Sequence, residues 1–156
     1  MFVVSCREKE SYPPEPILTY SGFTVFQNLD GVDSLGVMTI SYTDGDGDLG
    51  MFPNDSNPNF FVSYYKMVDG VLKIGTRYNP TTGEIDTINF NARIPLLVSP
   101  SYTSWIKGEI EDTINPLSDP TSQKPFDTIM FEAYVIDRSG NKSNTVQTPL
   151  IIVKNQ

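Results

Sequence analysis

The chain has 156 residues, enough for one domain around a single core and too few for two. Its formal charge is −8 with a pI near 4.4, and no cluster of Lys and Arg occurs, which excludes a nucleic-acid backbone as partner and disfavours anionic membrane surfaces. There is no histidine, so the commonest general base and the commonest transition-metal ligand are both missing, and Ser-His-Asp hydrolysis and ordinary zinc or copper sites go with them.

Met1-Phe2-Val3-Val4-Ser5-Cys6 is a short apolar run ending at the only cysteine, so no internal disulfide can form. Val3-Val4-Ser5-Cys6 resembles a bacterial lipobox, where a signal peptide is cut and the thiol is acylated. The charged n-region and most of the apolar h-region of such a peptide are missing, so residues 1–5 read as its remnant. The resemblance implies lipidation at Cys6 and a place in the cell envelope as an outer-membrane lipoprotein, with periplasmic and surface faces both open. The alternative is that Val3 and Val4 open a buried strand and Cys6 is a core thiol. Residues 7–16 are charged and then proline-rich, a composition that cannot bury itself, so 6–15 is expected to be a lipidated, flexible tether and 16–156 the folded domain. No other segment approaches the roughly 20 apolar residues of a membrane-spanning helix.

The domain reads as all-β: Val, Ile, Phe and Tyr dominate its apolar content, Ala is nearly absent, and short alternating runs are separated by Gly, Pro, Asn and Asp. Residues 17–26 form the first expected strand. Residues 35–42 form the second, with Met38, Ile40 and Tyr42 toward the core, and it runs directly into Asp44-Gly45-Asp46-Gly47-Asp48-Leu49-Gly50. Residues 51–59, rich in Asn and Pro, continue that loop. Residues 60–67 are the strongest β segment, and Asp69-Gly70 supplies a primed hairpin turn into a partner strand over 71–77. Residues 85–94 and 96–98 are weaker strands broken at Pro95, and 104–110 is another, with Trp105 either a core anchor, the favoured reading, or a surface contact. Residues 115–126 are a connection. Residues 128–136 alternate, with Ile129, Phe131, Ala133 and Val135 on one face; Asp137 to Asn144 is a polar turn, and 145–153 closes the chain. About seven antiparallel strands in one domain suit a β-sandwich of immunoglobulin or fibronectin type.

The run from Ile40 to Gly50, together with Phe131 to Asn144 and Thr148-Pro149, resembles a family of uncharacterised Bacteroidota lipoproteins and the wider group of bacterial Ig-like and polycystic-kidney-disease-like sandwiches. In those folds an Asp-rich turn follows the second strand and an Asp/Gly/Asn turn precedes the last. The resemblance implies that both turns lie at one end of the sandwich, bringing Asp137 and Asn141 near the acidic loop. It implies no activity.

The acidic loop is the main candidate site. Ca²⁺ takes six to eight oxygen ligands, and carboxylates spaced by glycines can turn inward together because glycine admits left-handed backbone angles. Asp44, Asp46 and Asp48 match positions 1, 3 and 5 of an EF-hand loop and Asp55 falls at position 12, but Leu49 stands where that loop has Gly. The expected ligands of a structural Ca²⁺ are therefore Asp44, Asp46, Asp48 and Asp55, joined by Asp137 and Asn141. The competing expectation is a metal-free turn in which the aspartates accept backbone N–H bonds and Arg138 or Lys142 balances their charge.

Ser34, Thr87, Thr113 and Thr128 each follow an Asp and precede an aliphatic residue, which resembles the acceptor motif of Bacteroidota O-glycosylation and is also a plain strand-entry pattern. Catalysis would need a carboxylate pair; Glu109 and Glu111 share a strand face, which is more readily a solvated surface, so no enzyme is expected. The chain is thus expected to be a lipid-anchored, non-catalytic envelope module with a structural Ca²⁺ loop. The alternative is a carbohydrate- or peptide-binding surface lipoprotein using loops at that same end.

Overall fold

The computed structural model describes residues 10–118 and 123–155. Cys6 lies outside the described residues, as do 1–9 altogether. The described residues are all-β with no helix, and none is long and apolar enough to cross a membrane as one.

Ten strands follow in order: β1 (Ile17–Gln27), β2 (Asp33–Asp44), β3 (Phe60–Val68), β4 (Val71–Ile74), β5 (Thr76–Tyr78), β6 (Ile85–Thr87), β7 (Ile106–Ile114), β8 (Phe126–Val135), β9 (Val146–Gln147) and β10 (Ile151–Lys154). One antiparallel sheet has the order β1-β2-β7 and another the order β10-β8-β3-β4, with β9 also paired to β8; β5 and β6 form a small hairpin. The two larger sheets enclose one core. Met38, Ile40 and Tyr42 from β2 and Ile106 and Ile114 from β7 meet Phe60 and Val62 from β3 and Ile129, Phe131, Ala133 and Val135 from β8. Phe131 is the centre of this layer: Phe23 stacks on it at 5.6 Å, and Tyr64 and Phe90 approach its ring at 5.6 and 5.8 Å. The inward faces expected for β2 and β8 are the observed ones.

The strands outnumber the seven expected because several expected runs are interrupted, each for a local reason. The run over 71–77 breaks at Gly75, whose N–H donates to Tyr64 O at 2.7 Å and whose α-carbon packs so close to the Tyr64 ring that a Cβ would overlap it. The chain leaves β3 there and β5 pairs with β6 instead. Only Ile85–Thr87 of the 85–94 run forms a named strand. Residues 88–92 do track β3, with Phe90 N donating to Val62 O and Ala92 N to Phe60 O, but the Asn91 side chain takes the Val62 N–H at 3.1 Å and breaks the ladder. The final run is split at Thr148-Pro149, where proline has no N–H to donate, so β9 and β10 occupy the same edge of β8 in two pieces. The Asp69-Gly70 turn is as expected, with φ of 53° and 77°.

Trp105 corrects the favoured core reading. It sits half-buried just ahead of β7, edge-on to Tyr12 at 5.5 Å, with Lys107 Nζ 5.4 Å from its ring centre. Alternation explains this: Ile106, Gly108, Ile110, Asp112 and Ile114 take the inner face of β7, leaving the odd positions outside.

Candidate metal centre

The two-residue period that builds the core also builds the acidic site. On β2 the inward row Met38, Ile40, Tyr42 continues to Asp44, which is fully buried. On β8 the inward row Phe131, Ala133, Val135 continues past the strand end to Asp137, 3% exposed. The two strands belong to facing sheets, so their parity delivers one carboxylate from each sheet to the same end of the core. Asp46 and Asp48 follow in the loop after β2. One carboxylate oxygen from each of Asp44, Asp46, Asp48 and Asp137 lies within 4.8 Å of the other three.

Glycine packing forces the loop into this shape. A Cβ on Gly45 would overlap the carbonyl oxygens of Tyr12 and Pro13, one on Gly47 the carbonyl of Ser104, and one on Gly50 the carbonyl of Pro95. Gly47 and Gly50 also have φ of 75° and 99°, the left-handed region that suits residues without a Cβ. Leu49, the departure from EF-hand spacing, is fully buried in the core, and its N–H donates to Asp44 Oδ2 at 2.6 Å. The hydrophobic plug therefore holds the first carboxylate in place.

The remaining oxygens divide into two sets. Asp48 Oδ2 accepts from Ser139 Oγ at 2.6 Å; Asp137 Oδ1 accepts from Asn141 N at 2.8 Å and its Oδ2 from Asn141 Nδ2 at 2.9 Å. Oδ1 of Asp44, Asp46 and Asp48 are all buried and have no hydrogen-bond partner. A buried carboxylate oxygen without a partner is strongly unfavourable, and three beside one another compound the penalty by repulsion. Burial first, then Asp46 and Asp48, push the Asp44 carboxyl up to about 6, against the Leu49 N–H that favours its ionised form. Burial likewise raises Asp137, with Asp48 and Asp46 adding to the rise and Asn141 opposing it.

The cations expected to balance this charge are engaged elsewhere. Arg138 Nη1 donates to Gly50 O at 2.6 Å and its guanidinium lies 5.3 Å from the Phe52 ring centre. Lys142 Nζ lies 3.8 Å from the Tyr134 ring centre. Among the described residues no Lys or Arg forms an ion pair with the four carboxylates. The donor set is thus all-oxygen, anionic and uncompensated, and its spacing suits a hard cation: oxygens on opposite sides of a Ca²⁺ lie roughly 4.6–5.2 Å apart. These four residues could hold a metal ion.

Two further residues of the expected set have other tasks. Asp55 is not part of the cluster; its Oδ1 accepts from Asn57 N at 2.9 Å in a local turn. Asn141 buttresses Asp137 through both its N–H groups. Ser34, Thr87, Thr113 and Thr128 all lie in paired strands, each beside an aspartate, and Asp33 and Asp127 are buried. Asp33 accepts from Gln27 and from Lys154 N, and Asp127 pairs with Lys66 at 2.8 Å and accepts from Asn155. At Asp33 and Asp127 the pattern therefore has a structural use as strand-end fastening. Glu109 and Glu111 are exposed.

Comparison of the chain with protein-family models, with curated proteins and with solved structures returned no match.

Proposed function

We propose that this chain is a non-catalytic β-sandwich module of the cell envelope in which a structural Ca²⁺, held by Asp44, Asp46, Asp48 and Asp137, joins the two sheets at one end. The observation that carries the reading is the convergence of three buried, unpartnered carboxylate oxygens with no cationic side chain beside them. An ion there would hold β2 to the turn after β8, and Asn141, Ser139 and the Leu49 N–H would orient its ligands. The pairing orders β1-β2-β7 and β4-β3-β8-β10 support a fibronectin-type arrangement of the sandwich; the envelope address rests on the lipobox-like Val3 to Cys6, and membership of a Bacteroidota lipoprotein family on the resemblance carried by Ile40 to Gly50, Phe131 to Asn144 and Thr148-Pro149. Calorimetric titration with CaCl₂ tests the ion: saturable binding is expected, with a melting temperature that rises in Ca²⁺ and falls back in EGTA. A melting temperature indifferent to both rules the reading out.

One observation favours a second reading, a carbohydrate-binding module. A cleft of about 820 Å³ runs between the β5–β6 hairpin and residues 115–118, and its lining includes the exposed Tyr78 together with Arg77, Asn89 and Asn115. A cleft that offers an exposed aromatic residue together with planar polar side chains suits a sugar ring. The cleft shares no residue with the acidic loop, where sequence reasoning puts the ligand. A glycan array separates the readings, since only this one expects a saturable hit that Tyr78→Ala abolishes.

A further inference from the structure

We infer that the cation loop and Trp105 together form a docking surface for residues 10–13 of the same chain, and that the ion controls whether this segment is held. The inference rests on the Ca²⁺ reading above. The contact is made inside the loop: Gly45, between the ligands Asp44 and Asp46, donates its N–H to Pro13 O at 2.9 Å. The approach is so close that a Cβ on Gly45 would overlap the carbonyls of both Tyr12 and Pro13. Two further contacts flank it. Tyr12 lies edge-on to Trp105 at 5.5 Å, and Glu10 pairs with Lys107 at 3.0 Å. Trp105 and Lys107 flank Ile106, the register partner of Asp44 across the β2–β7 ladder, so the three contacts lie along the backbone of Asp44 and Gly45, on the sheet face opposite the Asp44 carboxylate.

The direction of the Gly45 N–H follows from where its two neighbours point their side chains. With a cation drawing Asp44 and Asp46 onto one centre, the intervening peptide is fixed and the N–H stays on Pro13. Without one, repulsion among the buried Oδ1 atoms of Asp44, Asp46 and Asp48 favours opening the loop, and glycine at 45 and 47 leaves the backbone free to turn. The surrounding contacts alone are weak: the Glu10–Lys107 pair is half exposed on both sides and is worth little in water. The ion thus supplies the order that a proline-containing segment cannot supply for itself.

Trp105 is the chain's only tryptophan and reports on the covering ring directly. In the full chain, Ca²⁺ is expected to lower acrylamide quenching of Trp105 fluorescence. In Tyr12→Ala, quenching stays high with or without Ca²⁺. Coupling is reciprocal, so Tyr12→Ala is also expected to weaken Ca²⁺ affinity by calorimetry, by about five-fold. Ca²⁺ binding that leaves wild-type quenching unchanged, or a Tyr12→Ala affinity equal to wild type, overturns the latch and leaves the metal site standing. No binding at all in the wild-type titration overturns both.

Discussion

The side-chain amide of Asn144 holds Leu18 as a neighbouring strand would: its Oδ1 accepts from Leu18 N at 2.8 Å and its Nδ2 donates to Leu18 O at 2.9 Å. The two residues are 126 positions apart and join the start of β1 to the loop before β9, so one side chain closes the side of the sandwich between sheets. Asn144→Ala removes both bonds and leaves a backbone donor and acceptor of a largely buried residue without partners. It is expected to destabilise the domain by about 1–3 kcal/mol in urea unfolding, with m unchanged. Asn144→Asp keeps the acceptor but sets a carboxylate oxygen against Leu18 O, and is expected to destabilise at neutral pH at least as much as the alanine. A stability equal to wild type for the alanine variant would show that water replaces the side chain at no cost.

The loop glycines make a graded prediction. Gly47 has φ of 75° and its α-carbon faces the Ser104 carbonyl with no room for a methyl, so Gly47→Ala strains the backbone and the contact together. A loss of about 1–3 kcal/mol is expected. Gly22, in β1, has nothing within 4 Å of a built Cβ and no positive φ, so Gly22→Ala is expected to stay within about 1 kcal/mol of wild type. Equal losses at the two positions would mean that the loop's shape does not set the effect, since the unfolded-chain entropy of Gly→Ala favours the folded state at both.

These positions also show what the sequence could and could not reveal. Period-two alternation in β2 and β8 exposes the core rows, and extending each row by two residues lands on Asp44 and Asp137, so the inward placement of these two carboxylates was legible from parity. Asp55 was not, because its twelfth-position spacing belongs to a loop that ends in a helix; here the chain after Gly50 turns away and the Asn57 N–H captures the carboxylate. Leu49 reads as a defect in a calcium loop until the core is seen to need it. The interrupted strands were hidden for a related reason: the Asn91 side chain in place of a backbone acceptor, or Gly75 against the Tyr64 ring, is a tertiary contact that local propensity does not encode.

Asp112 supplies a pH dependence away from the acidic cluster. It alternates with Ile110 and Ile114 on the inner face of β7, opposite Met38, and its Oδ2 is buried without a partner. Burial raises its pKa, and the Thr113 N–H opposes the rise. With the folded-state pKa above the unfolded one, the folded protein binds more protons between the two values, so stability falls as pH rises through that window and the penalty persists above it. Asp112→Asn removes the penalty at neutral pH and changes little at pH values below the unfolded pKa. Its melting temperature is expected to exceed wild type by about 2 °C or more near pH 7 and to converge with it near pH 3. A variant less stable than wild type at neutral pH would mean that the carboxylate is compensated in the folded protein.

Asp44→Asn gives the site its most discriminating test, because its effect should change sign with the ion. An asparagine keeps an acceptor for the Leu49 N–H and can turn its amide toward the orphaned oxygens of Asp46 and Asp48, converting repulsion into hydrogen bonds. In EGTA the variant is therefore expected to melt above wild type. In Ca²⁺ at about 100 times its Kd, wild type gains about 2.7 kcal/mol, or roughly 5–10 °C, which a variant lacking the buried anionic ligand does not share. The melting curves should exchange order between the two buffers. Scanning calorimetry of both proteins in EGTA and in Ca²⁺ reads this directly, and a variant below wild type in both buffers would mean that the Asp44 carboxylate stabilises the fold without any cation.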